Sequence, residues 1–148
     1  MKKISSITIV KNDETNIRGC IYSLKKCSDE VIVLVDSSSS DRTLEIVKSI
    51  SSIKYEEVEW KGFALTKQYA VSISTNNYIL WLDSDEVLSD ELIIEINKLK
   101  ADNEIGDAYS IPRKAIFIGK WIKHSGWYPG RVVRLFNKSK ASFNDNKV

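Results

Sequence analysis

This chain of 148 residues has little covalent or glycine-based punctuation: 2 cysteines, 2 prolines and 6 glycines, with a single histidine. So few cysteines exclude the disulfide scaffold that small secreted domains use in place of a large core. Cys20 and Cys27 fall in what reads as one helix, about 10 Å apart along its axis, too far for a bridge, so two reduced thiols are expected. Scarce proline and glycine exclude collagen-like and low-complexity chains. No sign of charge dominates either. Lysine and arginine number 22 against 20 acidic residues, a net charge of +2. That balance excludes the strongly basic face of a nucleic-acid-binding protein, although a local basic patch can still favour a membrane surface. No apolar run approaches the roughly 18 residues of a membrane span. The opening MKKISSITIV is basic and then apolar, but Ser5, Ser6 and Thr8 interrupt it and no small-residue cleavage site follows, unlike a signal peptide.

What is present is an ordinary core: 43% of the residues are hydrophobic and 28% charged. A chain of this length reads as one domain that buries roughly two-thirds of its unfolded surface. Ile4–Val10 is a short, partly β-branched run, a first strand. Ile17, Cys20, Ile21 and Leu24 recur at helical spacing, with Thr15 or Asn16 as N-cap. EVIVLVD has five successive apolar residues, Val31–Val35, and so predicts a strand buried on both faces, as in a parallel sheet. The serine-rich SSSSDRT then joins it to a helix over Thr43–Ser51. Ile53–Trp60 reads as a more polar strand near an edge, Phe63–Ser74 as a helix and YILWLD as a fourth, apolar strand. Leu92, Ile93, Ile96 and Leu99 mark a last helix, capped by Ser89, with Asp90 and Glu91 favourable in its first turn. Alternation of this kind predicts an α/β fold with a mostly parallel sheet. From Ala108 the pattern changes to a β-rich segment, Ala108–Ile118, then a Gly-, Trp- and Pro-bearing stretch and the strand RVVRLF. The expected organisation is residues 1–107 as one half and 108–148 as the start of a second, truncated at its C-terminal end.

Ligands of open parallel sheets bind beyond the carboxyl ends of the strands. Three strands here end in acidic residues at that edge: Asp13 and Glu14 after the first, Asp36 after the second, and Asp83, Asp85 and Glu86 after the fourth. Clustered carboxylates repel unless a cation or ligand neutralises them. Phosphate-binding glycine loops are missing, with neither Gly-x-Gly-x-x-Gly nor a Walker-type loop. Asp83-Ser84-Asp85 offers the alternative, a hard oxygen site for Mg²⁺ or Mn²⁺ that would bridge a diphosphate.

ITIVKNDETNI, VIVLVDSSSSDRT, WKGFALTKQYAV, ILWLDSDEVL and GWYPGRVVRLF occur in that order. Together they resemble the family 2 glycosyltransferases with the GT-A fold, especially small bacterial lipopolysaccharide-core-type transferases. The resemblance implies a nucleotide-sugar donor, a uridine diphosphate carrier, a divalent metal, and a glycan or lipid-linked acceptor in cell-envelope polysaccharide synthesis at the cytoplasmic side of the membrane. By position it places Asn12 and Glu14 beside the base, Asp36 at the uracil or ribose, Lys67 facing the nucleotide, Asp83 near the ribose, and Asp85, with Asp83, on the metal. Two departures stand out: Gln68 follows the basic residue where Asn is expected, and Gly130 stands where relatives carry Asp. An inverting transfer needs a general base, and no residue of this chain matches one.

His124, Trp127 and Tyr128 are the acceptor-side candidates, since flat aromatic rings suit sugar faces; core packing is the plainer reading of the aromatics. FIGKWIK mixes bulky apolar residues with lysines, as a peripheral membrane contact would. Three rivals compete. A haloacid-dehalogenase-type phosphatase matches ILWLDSDEV, with Asp83 as nucleophile, but carries that motif on its opening strand. A sugar nucleotidyltransferase needs a glycine-rich first loop, and KNDETN has no glycine. A non-catalytic nucleotide-binding fragment is the third.

Overall fold

A computed structural model describes residues 1–114, 116–117, 120–121 and 130–141. Its elements alternate in the expected order: β1 (Ile4–Val10), α1 (Ile17–Lys25), β2 (Glu30–Asp36), α2 (Thr43–Lys48), β3 (Lys54–Val58), α3 (Phe63–Ile73), β4 (Tyr78–Trp81) and α4 (Asp90–Ala101). There follow β5 (Ala108–Arg113), the short β6 (Ile116–Phe117) and β7 (Lys120–Trp121), and β8 (Gly130–Asn137).

Six strands form one sheet in the order β3-β2-β1-β4-β8-β5. The first four are mutually parallel, whereas β8 runs antiparallel to both β4 and β5. The segment after residue 107 therefore extends the parallel sheet, and the long strand expected over Ala108–Ile118 ends at Arg113. Pro112, which has no N–H for a second neighbour, sits comfortably in β5 because that strand is an edge. The Ile53–Trp60 expectation shortens to Lys54–Val58, on the opposite edge.

Burial on both faces follows the side-chain alternation of β2. Val31, Val33 and Val35 join a core with Ile17, Cys20, Ile21 and Leu24 of α1, Val47 of α2, and Ile93 and Ile96 of α4. Ile32 and Leu34 point the other way, into a second core with Ile7, Ile79, Trp81, Phe136 and Ala70 of α3. Each such side chain contributes roughly 1.5–3 kcal/mol by leaving water, which makes these strands the rigid base of the strand-end loops.

Local signals hold in part. Ser89 caps α4, its hydroxyl accepting from the Leu92 amide at 3.3 Å. Asn16 is the N-cap of α1, but its side chain donates to Asp13 Oδ1 at 2.7 Å and makes no capping bond. Cys27 lies two residues past the end of α1, outside the helix that was expected to hold both thiols. Both cysteines are free and buried, and burial pushes the Cys20 thiol up to about 12.

At the far end of the sheet, Glu30 ties three segments together. It accepts from the Ser5 hydroxyl, the Thr75 amide at 2.9 Å, the Thr75 hydroxyl at 3.0 Å and Lys54 Nζ at 2.5 Å. Burial opposes its charge, but these partners win and lower the carboxyl from 4.5 to about 2. A depressed carboxylate contributes stability that is fully present above its unfolded value and lost as pH falls towards the folded one. Urea unfolding should therefore show stability declining between pH 4.5 and about 2. Glu30→Gln should remove about 2 kcal/mol at pH 7, because the Lys54 partner is exposed, and flatten that acid limb. An unaltered acid limb in the variant would exclude Glu30 as its cause.

Candidate functional site

Between β1 and β4 the strand order reverses, since β2 and β3 lie on one side of β1 and β4 on the other. That is where open α/β sheets open a crevice. A pocket of about 250 Å³ lies at this edge, lined by Ile9, Lys11, Asp36, Trp60, Phe63, Lys67, Trp81 and Asp83.

Asp36 is the last residue of β2 and only 3% exposed. One of its oxygens accepts from the Ser38 amide at 2.8 Å and the Ser38 hydroxyl at 2.7 Å; the other lies 3.7 Å from Lys11 Nζ. The Ser38 hydroxyl and amide, and then Lys11, hold the Asp36 carboxyl below its ordinary range against the opposing effect of burial. It is therefore ionised, with one oxygen turned towards a cation rather than spent within its own turn.

Asp83 follows β4. Trp81 Nε1 donates to its Oδ1 at 3.2 Å, and Arg134 Nη2 donates to its Oδ2 at 2.8 Å. Burial pushes this carboxyl up, but Arg134, Trp81 and Lys67 outweigh it and hold it below the ordinary value. Lys67, on α3, places its ammonium 4.5 Å from the centre of the Trp81 ring and 5.9 Å from that of Phe63. Burial lowers the Lys67 amine, and Asp83 opposes that shift. Trp60 and Phe63 meet edge-on at 4.7 Å and stay largely exposed, at 40% and 71%. Between them Gly62 adopts φ +92°, a left-handed conformation that a side chain would strain. The pocket thus offers two ionised carboxylates for hydroxyl or N–H donors, two ammonium groups for phosphate, and an aromatic wall for a flat ring.

Three residues singled out from the sequence, Asp36, Lys67 and Asp83, meet in this pocket; the others stand elsewhere. The Asn12 side chain accepts from the Ser40 amide at 2.7 Å, and Glu14 accepts from the Arg42 amide at 2.8 Å. The Asp13 amide donates to Thr43 Oγ1 at 2.9 Å and the Glu14 amide to Asp41 at 3.1 Å. These bonds pin the serine-rich loop against the β1 loop, so Asn12 and Glu14 hold the frame of the site without lining it. Asp85 is exposed on the turn after Asp83 and does not line the pocket. His124, Trp127 and Tyr128 lie outside the described residues, as does most of FIGKWIK.

The site also uses residues to which sequence reasoning gave no role: Trp60, Phe63 and Trp81 in the wall and Arg134 behind it, with Lys11 and Glu86 read only as members of the strand-end polar groups. Two aromatics straddling a glycine at a strand end were a legible signal. Arg134 was legible too, because a charge inside the apolar run RVVRLF needs a buried partner.

Asp83 is only partly suited to metal binding, since both its oxygens are already bonded. Glu86 is similarly engaged, with Arg134 and with the Asp83 amide at 3.0 Å. Among the described residues no group of three or more His, Cys, Asp or Glu is placed to hold a metal by itself. That leaves Asp85, and one carboxylate with phosphate oxygens and water is a donor set that Mg²⁺ accepts. The residues fit a cation that arrives with a diphosphate.

Residues 5–146 match the family described as glycosyl transferase family 2. The chain is 36% identical over 145 residues to an uncharacterized glycosyltransferase of Rickettsia typhi, covering 97% of this chain and 49% of that protein. It is 28% identical over 145 residues to the lipopolysaccharide core biosynthesis glycosyltransferase LpsC of Rhizobium meliloti, covering 95% and 53%. The chain thus spans about half the length of the curated relatives it matches. Among solved structures, S. aureus TarS 1-349 in complex with UDP-GlcNAc superposes with a TM-score of 0.63 at 22% identity, over 83% of this chain and 37% of that one. The fold is therefore GT-A. With the family matched over nearly its whole length, the chain belongs to glycosyl transferase family 2.

Proposed function

We propose that this chain is the donor-binding portion of an inverting glycosyltransferase that moves a sugar from a uridine diphosphate carrier to a glycan or lipid-linked acceptor of the bacterial cell envelope. The observation that carries this reading is the meeting of Asp36, Lys67 and Asp83, from three separate elements, in one pocket at the β1/β4 edge. Asp36 and Asp83 accept from base and ribose donors, the aromatic wall takes a flat ring, and Lys67 and Lys11 face the phosphates. A divalent cation, held by Asp85 and the diphosphate, would offset the charge that builds on the leaving group. In this reading residues 1–107 supply most of the donor site, and 108–148 begin the acceptor side, where His124, Trp127 and Tyr128 are candidates for sugar contact. The work is placed at the cytoplasmic face of the membrane. No helix among the described residues is long and apolar enough to cross one.

The phosphatase alternative asks Asp83 to act as a nucleophile. Its hydrogen bonds to Arg134 and Trp81 occupy both oxygens, and Lys67 and Arg134 lower its basicity. This arrangement suits a fixed acceptor better than an attacking group.

A thermal-shift series tests the reading. Uridine diphosphate at about 100 times its Kd should raise Tm by about 8 °C when Mn²⁺ or Mg²⁺ is present, by mass action on the folded state. Metal alone should leave Tm unchanged, since the protein has no self-sufficient metal cluster among its described residues. Release of phosphate from a generic phosphomonoester, with no response to any nucleoside diphosphate, would favour the rival.

A further inference from the structure

Arg134 is a deeply buried charge, its side chain 5% exposed in the middle of β8. Removing a guanidinium from water is costly unless carboxylates surround it. Two do: Arg134 Nη2 donates to Asp83 Oδ2 and to Glu86 Oε1, both at 2.8 Å. Glu86 closes a ring, because its other oxygen accepts the Asp83 amide at 3.0 Å while its own amide donates to the Asp83 carbonyl at 3.0 Å. Asp83 is thus held by side chain and backbone at once. Its remaining oxygen takes the Trp81 indole, and that ring carries the Lys67 ammonium above it. Arg134 itself does not line the pocket. Its influence passes through the residues that do.

We infer that Arg134 is a positioning residue of the donor site: it aims Asp83 into the pocket and clamps the Asp83–Glu86 turn that presents Asp85. The consequence for ligand binding rests on the donor reading above. Arg134 reaches Asp83 from 51 positions away, on the strand that runs antiparallel beside β4. The site is therefore complete only when β8 is docked, which makes donor capture conditional on the segment that begins the acceptor half. An arginine suits the task because its rigid, planar guanidinium fixes the two N–H bonds of Nη2 on both acceptors, whereas a lysine is a flexible point charge.

The test is a double-mutant cycle on the full chain, with the Kd of uridine diphosphate measured calorimetrically in Mn²⁺ for Arg134→Met, Asp83→Asn and the double variant. Each single change should weaken binding by about 30-fold, and the double by no more than about 50-fold, since both remove one linked unit. Losses that multiply in the double variant overturn the inference. Arg134→Lys guards against misfolding. It should unfold near the wild-type Tm yet bind about fivefold more weakly, and wild-type affinity in this variant also overturns the inference. Hydrogen exchange at the Asp83 amide gives a readout that needs no ligand: Arg134→Met should speed it by about tenfold, and unchanged protection counts against the clamp. If the wild-type chain binds no nucleoside diphosphate, the donor reading fails while this exchange measurement still decides the positioning role.

Discussion

Asp85→Ala should lower sugar transfer by about a thousandfold and leave nucleotide binding indifferent to Mn²⁺, the largest effect expected of any single side chain here. The reason lies in what the neighbouring carboxylates are doing. Asp83 and Glu86 spend their oxygens on Arg134, Trp81 and a backbone amide. Asp85 is the exposed carboxylate of the same turn, so in the proposed donor reading the contribution of a cation to the leaving diphosphate would run through it. Because Asp85 is exposed, its loss should cost little stability, and Tm without ligand should stay within about 2 °C of wild type. Transfer is best measured as release of uridine diphosphate from the sugar donor in Mn²⁺, with a chelator-treated sample as reference. A variant whose nucleotide binding still depends on metal would remove Asp85 from the cation site.

Asp36→Asn should weaken uridine diphosphate binding about 100-fold, equally with and without metal. The substitution keeps the shape of a side chain that is almost fully buried at the end of β2. It can still accept from Ser38 through its amide oxygen, so the β2–α2 turn should survive. What changes is the oxygen near Lys11, which becomes an NH₂ facing an ammonium and the donors of the ligand. A charged acceptor is replaced by a neutral donor beside the Lys11 ammonium. Asp36→Ala would also leave the Ser38 amide and hydroxyl without their partner, confounding affinity with stability, so the asparagine variant is the cleaner probe. Equilibrium dialysis with and without Mn²⁺ separates this role from that of Asp85. Equal affinity in wild type and variant would mean that Asp36 only builds the turn.

The alternation of apolar runs and helical spacings was readable residue by residue. Val31–Val35 announced a strand covered on both sides, and the structure divides those side chains between two cores. Such patterns are local: a period of two or of 3.6 residues is written in consecutive positions and needs no knowledge of neighbours. The strand-end rule then placed Asp36 and Asp83 at one edge, because successive parallel strands end on the same side of the sheet. Lys67 came from the family resemblance.

Tertiary structure decided which polar groups remain available to a ligand. Asn12 and Glu14 looked equivalent to Asp36 as strand-end residues, yet the serine-rich loop folds onto them and takes their oxygens. Trp60 and Phe63 became a wall because Gly62 turns the chain between them. Arg134 found Asp83 across 51 residues only when β8 inserted between β4 and β5. Strand and helix periods are set by the backbone of each segment, and so the sequence alone determined the fold class and the edge where the pocket lies. Hydrogen-bond partners are shared out by packing between distant segments, and so only the folded sheet determined which carboxylates face the pocket and which are consumed in holding it.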